Sequence, residues 1–252
     1  MNDQPAERSD QASATDPRIR LLTFTRMVSP LAWLRAIATT YLVAYGEPRQ
    51  RRCPACDFPV LGRGGPTTTI TGKCARCRAP LGPTPWLLEF AVLATGLAVL
   101  SRVGPLQVAA YCWFAVLGVL LAVIDLAVWR LPHALTAAWA AGTLAGLLIP
   151  AVAQHRLGDW LQALAAGLVS LMFFAVLASV RPGSMGWGDV TAAGVVGIAV
   201  GWWGWWPLLH TLVLAYAGFA AYLIVTRRRR GPFGPFLIAS ALVIIVASAS
   251  SG

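Results

Sequence analysis

Six residues stand where type and spacing could do chemistry: four cysteines and two aspartates. Cys53-Pro54-Ala55-Cys56 and Cys74-Ala75-Arg76-Cys77 are two Cys-x2-Cys knuckles separated by seventeen residues. Two tight turns at that spacing can bring four thiolates to the corners of a tetrahedron, where zinc binds sulfur at about 2.3 Å. Arg52, Lys73, Arg76 and Arg78 flank the cysteines and would help neutralise four thiolates on one dication. Four cysteine ligands close the coordination sphere, so such a zinc would be structural rather than catalytic. The alternative is a pair of disulfides or redox couples, which a cytoplasmic location disfavours. The fifth cysteine, Cys112, lies in an apolar run and reads as a packing residue.

The two aspartates are Asp125 and Asp189. Asp125 interrupts the apolar stretch from Leu121 to Val128, and Asp189 follows Gly186-Trp187-Gly188 at the start of another. An acid inside a membrane span is costly and is a functional candidate by default. Each also has an ordinary alternative: an ion pair with Arg130 for Asp125, and a helix N-cap for Asp189. If the runs are membrane helices, both acids emerge at one depth from separate helices. Two carboxylates sharing a proton can then act on water as base and acid, the logic of an aspartic-protease dyad. His133, His155 and His210 form no rival constellation.

The elements that must position these groups are apolar helices. Of 252 residues, 57% are hydrophobic and 12% charged, about half the charged fraction of a soluble domain. Apolar runs fall at roughly Trp86–Ser101, Pro105–Trp129, His133–Ala153, Trp160–Val180, Val190–Trp206, Leu208–Thr226 and Phe233–Ala249. About 20 helical residues cross a hydrocarbon core, so most of these fit; the first and fifth are short. The net charge of +10 does not indicate nucleic acid, because the basic residues cluster between apolar runs. With the cysteine module inside, Arg49, Arg51, Arg52, Arg63, Lys73, Arg76, Arg78, Arg130, Arg181 and Arg227 to Arg230 share its side. Arg102 and Arg156 take the other. That asymmetry predicts a cytoplasmic module and puts the Trp202-Trp203-Gly204-Trp205-Trp206 cluster at the far interface.

Four regions follow. Residues 1–27 read as a polar, disordered tail with no signal peptide. Residues 28–45 form an amphipathic surface helix or a first span, the surface reading being favoured by the cost of Arg35 in its middle. Residues 46–85 are the cysteine module and 86–252 the bundle. The expected fold is all-α: a polytopic membrane bundle of seven or eight spans with a small cytoplasmic zinc-ribbon-like module.

In this setting the sequence resembles the bacterial prepilin peptidases, the type IV leader peptidases of the GxGD membrane aspartyl protease class. The paired knuckles precede the bundle. Asp125 is followed by Leu131-Pro132 and Leu135-Thr136, like the family's first aspartate motif. Gly186-Trp187-Gly188-Asp189-Val190 looks like the second, and Pro232-Phe233-Gly234-Pro235-Phe236-Leu237 resembles the family's late signature. The resemblance implies a multi-pass protein of the bacterial inner membrane that cuts the basic leader from prepilins or pseudopilins in type IV pilus or type II secretion systems. It implies Asp125 and Asp189 as the catalytic pair, and Cys53, Cys56, Cys74 and Cys77 as metal ligands. It also allows methylation of the new N-terminus from S-adenosylmethionine, although no glycine-rich Rossmann fingerprint is present.

Three features depart from the family pattern. Thr191 stands where lysine is usual, the N-terminal segment is weaker than a usual first span, and Glu89 only resembles an acid found after the module. The rival from another class is a non-catalytic membrane assembly protein that keeps the zinc module. A transporter finds no support, since no internal repeat of the bundle or broken-helix pair is visible. The expected partners are prepilin-like substrates and the lipid bilayer, with no nucleic acid; the sequence does not speak to oligomeric state.

Overall fold

The computed structural model describes residues 30–43, 48–62, 65–67, 72–83, 86–180 and 185–250. The tail expected at 1–27, with Arg18, Arg20 and Arg26, lies outside them, as do Arg63 and Arg181. The described residues contain eight helices and one two-stranded ribbon. The chain divides into two units, Met1–Trp86 and Leu87–Gly252.

The first unit holds helix α1 (Pro30–Tyr41) and the cysteine module, with β1 (Leu61–Gly62) antiparallel to β2 (Gly65–Pro66). The twelve described residues of α1 rise about 18 Å. Arg35 is 1% exposed and donates from Nη1 to the Pro83 carbonyl at 3.1 Å. The residue that argued against a membrane span is therefore buried against the module's last loop. Thr39 packs there as well, with its Oγ1 2.5 Å from where a Cβ on Gly82 would stand.

The second unit is a bundle of helices α2 (Leu87–Arg102), α3 (Val108–Val128), α4 (His133–Ala153), α5 (Leu157–Val180), α6 (Trp187–Gly201), α7 (Trp205–Thr226) and α8 (Gly234–Ala249). Every apolar run in the sequence is a helix. Among the described residues α3, α4, α5 and α7 are long and apolar enough to cross a membrane, while α6 and α8 are shorter apolar helices. Four described helices thus meet the length and apolarity of a full span, and α6 and α8, at 15 and 16 residues, rise about 22–24 Å.

The interior of this unit is built on α3. Tyr111, Phe114, Leu120, Leu121 and Ile124 are fully buried, and Trp139 stacks on Phe114 while its indole N–H donates to the Phe114 carbonyl at 2.9 Å. Helices α5 and α6 approach backbone to backbone. A methyl on Gly197 would lie 2.7 Å from the Ala166 carbonyl oxygen, and one on Gly201 would lie 2.3 Å from Ala166 Cβ. Small residues suit helix association in lipid, where dispersion contacts replace the hydrophobic drive.

The two ends of the bundle are chemically distinct. At one end Gln107 donates to Gln154 at 3.2 Å, Arg156 pairs with Asp159, and the Arg156 guanidinium covers the Trp202 ring. The tryptophan cluster at this end is split: Trp202 is buried, while Trp205 and Trp206 are exposed as an interfacial belt requires. Arg156 and the α5–α6 packing hold Trp202 inside. The opposite end carries the acids.

Candidate active site and metal centre

The metal centre is built by two copies of one turn. In the first, the Cys53 N–H donates to the Phe58 carbonyl at 2.8 Å and the Asp57 N–H to the Cys53 carbonyl at 2.9 Å. In the second, Cys74 and Ala79 repeat the first bond at 2.8 Å, and Arg78 and Cys74 the second at 3.0 Å. Arg52 bridges to Pro59 in the first copy, and Lys73 to Pro80 in the second. The residue after each second cysteine takes a left-handed conformation, with φ 54° at Asp57 and 59° at Arg78. The recurrence of Cys-x2-Cys-x2-Pro, at Cys53 to Pro59 and Cys74 to Pro80, is the sequence signal of this duplication.

The duplication makes the four sulfurs converge. All four lie within 4.8 Å of one another, with Cys53 Sγ to Cys77 Sγ at 3.6 Å and Cys56 Sγ to Cys74 Sγ at 3.7 Å. A tetrahedral zinc with about 2.3 Å bonds sets its sulfurs about 3.8 Å apart, so the donor set fits that ion. The same separations are far beyond a disulfide bond, and all five cysteines are free. The Arg76 guanidinium reaches back over the Phe58 ring at 5.9 Å and ties one knuckle to the other. Cys112, by contrast, sits half-buried on α3.

The acids lie at the other end of the bundle from Gln107 and Gln154. Asp125 lies one turn from the end of α3, where the Trp129 N–H caps its carbonyl at 2.9 Å. Its side chain is 5% exposed, and Oδ2 has no hydrogen-bond partner among the described residues. Asp189 is not the N-cap of α6: Gly186 is, and the Asp189 N–H donates to its carbonyl at 3.0 Å. Asp189 occupies the third helical position instead, half-buried beside the Gly186 backbone.

Asp125 and Asp189 lie on either side of the turn between α3 and α4. The intervening turn holds them: Leu131 packs against Gly188, and its far methyl reaches Gly234. A Cβ on Gly234 would lie 2.7 Å from Asp125 Oδ2. That glycine is set in place by Phe233, whose ring packs on Tyr216 at 5.1 Å, Phe219 at 5.4 Å and Phe174 at 5.9 Å. Sequence reasoning found the acids and the late Pro-Phe-Gly-Pro run, but not that the run's glycine approaches Asp125. Trp129 and Trp187 are exposed within a turn of the two acids; such tryptophans favour the level of lipid headgroups.

Thr191 follows Asp189 by two residues and bonds its own helix, its hydroxyl donating to the Gly188 carbonyl at 2.9 Å. Glu89 is buried on α2.

A similarity search finds two curated relatives, in strains 1026b and K96243 of Burkholderia pseudomallei, both named prepilin leader peptidase/N-methyltransferase. Each is 32% identical to this chain over 215 residues. The chain is similar to these two prepilin leader peptidase/N-methyltransferases. The match covers 74% of the chain and 63% of each relative, so it spans less than two thirds of their length. No family model matches the chain, and no solved structure does. The prepilin peptidase relatives agree with the resemblance carried by the four motifs.

Proposed function

We propose that this chain is a membrane aspartyl endopeptidase that removes the basic leader from prepilin or pseudopilin-like substrates. The observation that carries the reading is the packing of Leu131 against both Gly188, the neighbour of Asp189 on α6, and Gly234, which lies against Asp125 of α3. Two carboxylates from separate helices thus flank one turn at one end of an apolar bundle. Water held between them gives a proton to the ionised carboxylate and attacks the scissile carbonyl. The protonated carboxyl donates to the leaving amide nitrogen, and no covalent intermediate forms. The bilayer-level tryptophans beside the acids suit a substrate whose cleavage site sits where a polar leader meets an apolar helix.

Zinc held by Cys53, Cys56, Cys74 and Cys77 would fold the module rather than join the reaction, since four thiolates leave no open position. The protein would lie in the bacterial inner membrane with the module and the acids on the cytoplasmic side. The relatives' name also supports methyl transfer to the new N-terminus, with S-adenosylmethionine as donor. Thr191, where the family usually has lysine, bonds its own helix through its hydroxyl and removes neither acid.

The test is to mix purified full-length protein in lipid nanodiscs with a candidate prepilin, with and without S-adenosylmethionine, and to read the product's N-terminal mass. Cleavage at the leader junction supports the peptidase reading, and a further mass increment of one methyl group supports the second activity. Intact prepilin under all conditions favours a non-catalytic assembly protein instead.

A further inference from the structure

Leu131 touches both sides of the acid pair. It is 6% exposed, in the turn between α3 and α4. A methyl on Gly188, the neighbour of Asp189, would stand 2.8 Å from Leu131 Cβ. A methyl on Gly234 would stand 3.5 Å from Leu131 Cδ1 and 2.7 Å from Asp125 Oδ2. One side chain thus fills the space between the two glycines that pack beside the two acids.

The backbone holds that side chain firmly. Pro132 follows it, with φ −68°, and caps α4, and the residue before a proline is confined to extended conformations. The Pro132 carbonyl accepts from the Leu135 and Thr136 N–H groups, each at 3.0 Å, and from the Thr136 hydroxyl at 3.2 Å. Leu131 is therefore anchored to the start of α4, while the acids belong to α3 and α6.

We infer that Leu131 is a positioning residue: a spacer, fixed by Pro132, that sets the separation of Asp125 and Asp189. The inference rests on the reading of those acids as the catalytic pair. It gives the Leu-Pro turn a mechanical task and explains why both adjoining positions are glycine. A β-carbon at either one would displace the spacer or press on the carboxylate.

The experiment compares Leu131→Ala, Leu131→Val, Leu131→Met and Gly188→Ala in the full-length protein, with Arg130 and His133 of the same turn unchanged. Readouts are kcat, KM, the width of the pH–rate bell and zinc content. Leu131→Ala should lower kcat by about 10- to 100-fold, the scale of a misplaced reacting group, with KM within about threefold. The bell should narrow, because two carboxylates that interact less titrate closer together. Leu131→Met, of similar volume, should recover most of kcat, and Leu131→Val, which loses the reach to Gly234, should fall between. Gly188→Ala should reproduce the Leu131→Ala profile from the other side of the contact.

Wild-type kcat and bell width in Leu131→Ala would overturn the spacer. If Leu131→Ala fails to accumulate, unchanged kcat and bell width in Leu131→Val and Gly188→Ala would overturn it equally. Asp125→Asn and Asp189→Asn run alongside. If those remain active, the functional reading itself fails; if they are inactive while the Leu131 and Gly188 variants match wild type, the spacer alone fails.

Discussion

Gly234 stands so close to Asp125 that a Cβ on it would lie 2.7 Å from the carboxylate's Oδ2. The two residues sit on different helices, α8 and α3, and the aromatic packing of Phe233 fixes the approach. Gly234→Ala should therefore push the carboxylate out of place rather than unfold the bundle. Cleavage should fall by about 10- to 100-fold while zinc content and membrane insertion stay unchanged. Initial rates on a prepilin substrate, set against metal analysis, check this.

Protons should compete with zinc for the thiolates. Without metal, a Phe58 backbone N–H favours the Cys56 thiolate, but burial and hydrogen bonds to Cys77, Cys74 and Cys53 outweigh it and push the thiol up to about 12. Burial raises Cys74, yet backbone N–H groups of Cys77 and Arg76, with the sulfurs of Cys56 and Cys77, bring it down to about 7. Zinc capture at neutral pH must therefore expel protons, and affinity should weaken as pH falls through 7. Chelator competition at pH 6 and pH 8 should show weaker binding at pH 6, with about one zinc per chain at the higher pH. Equal affinity at both would contradict four-thiolate binding.

Packing between α5 and α6 leaves different room at neighbouring glycines. A Cβ on Gly197 would press on backbone at 2.7–2.8 Å, whereas one on Gly194 would meet the Leu171 side chain at 3.2 Å. Gly197→Ala should cost about 1–3 kcal/mol as overpacking, and Gly194→Ala clearly less. Thermal denaturation in detergent should rank them in that order.

Much of this was legible in the sequence because the physics is local. Each apolar run became a helix, and the Cys-x2-Cys spacing delivered converging sulfurs. What was hidden depended on three-dimensional partners. Arg35 looked like a membrane liability until the Pro83 carbonyl met it. Asp189 looked like an N-cap because it follows glycines, yet the helix begins one turn sooner, at Gly186. The role of Leu131 could not be seen, since a leucine in an apolar sequence carries no signal of its own. Trp202 is buried apart from Trp205 and Trp206, under the guanidinium of Arg156, a distant residue in the chain.

The charge asymmetry predicts orientation. A single cysteine placed beside Arg228 should face the cytoplasm, and one beside Gln154 the opposite side. In cells whose other accessible cysteines are removed, an impermeant thiol reagent should label the second and spare the first. The reverse pattern would put Asp125 and Asp189 on the outer face.

The central claim is that Asp125 and Asp189 work as one unit, and the most direct measurement is the cleavage rate of Asn variants at each position. Asn keeps the shape and is cheaper in a membrane than a carboxylate, so both variants should insert and hold zinc. Asp125→Asn and Asp189→Asn should each lower kcat by about three orders of magnitude or more, and the double variant should be little worse, because parts of one unit are not additive. Asp159→Asn is the control, since Asp159 pairs with Arg156 at the opposite end of the bundle; its rate should remain near wild type. Full activity in either single variant, or losses that multiply in the double, would contradict a shared catalytic pair.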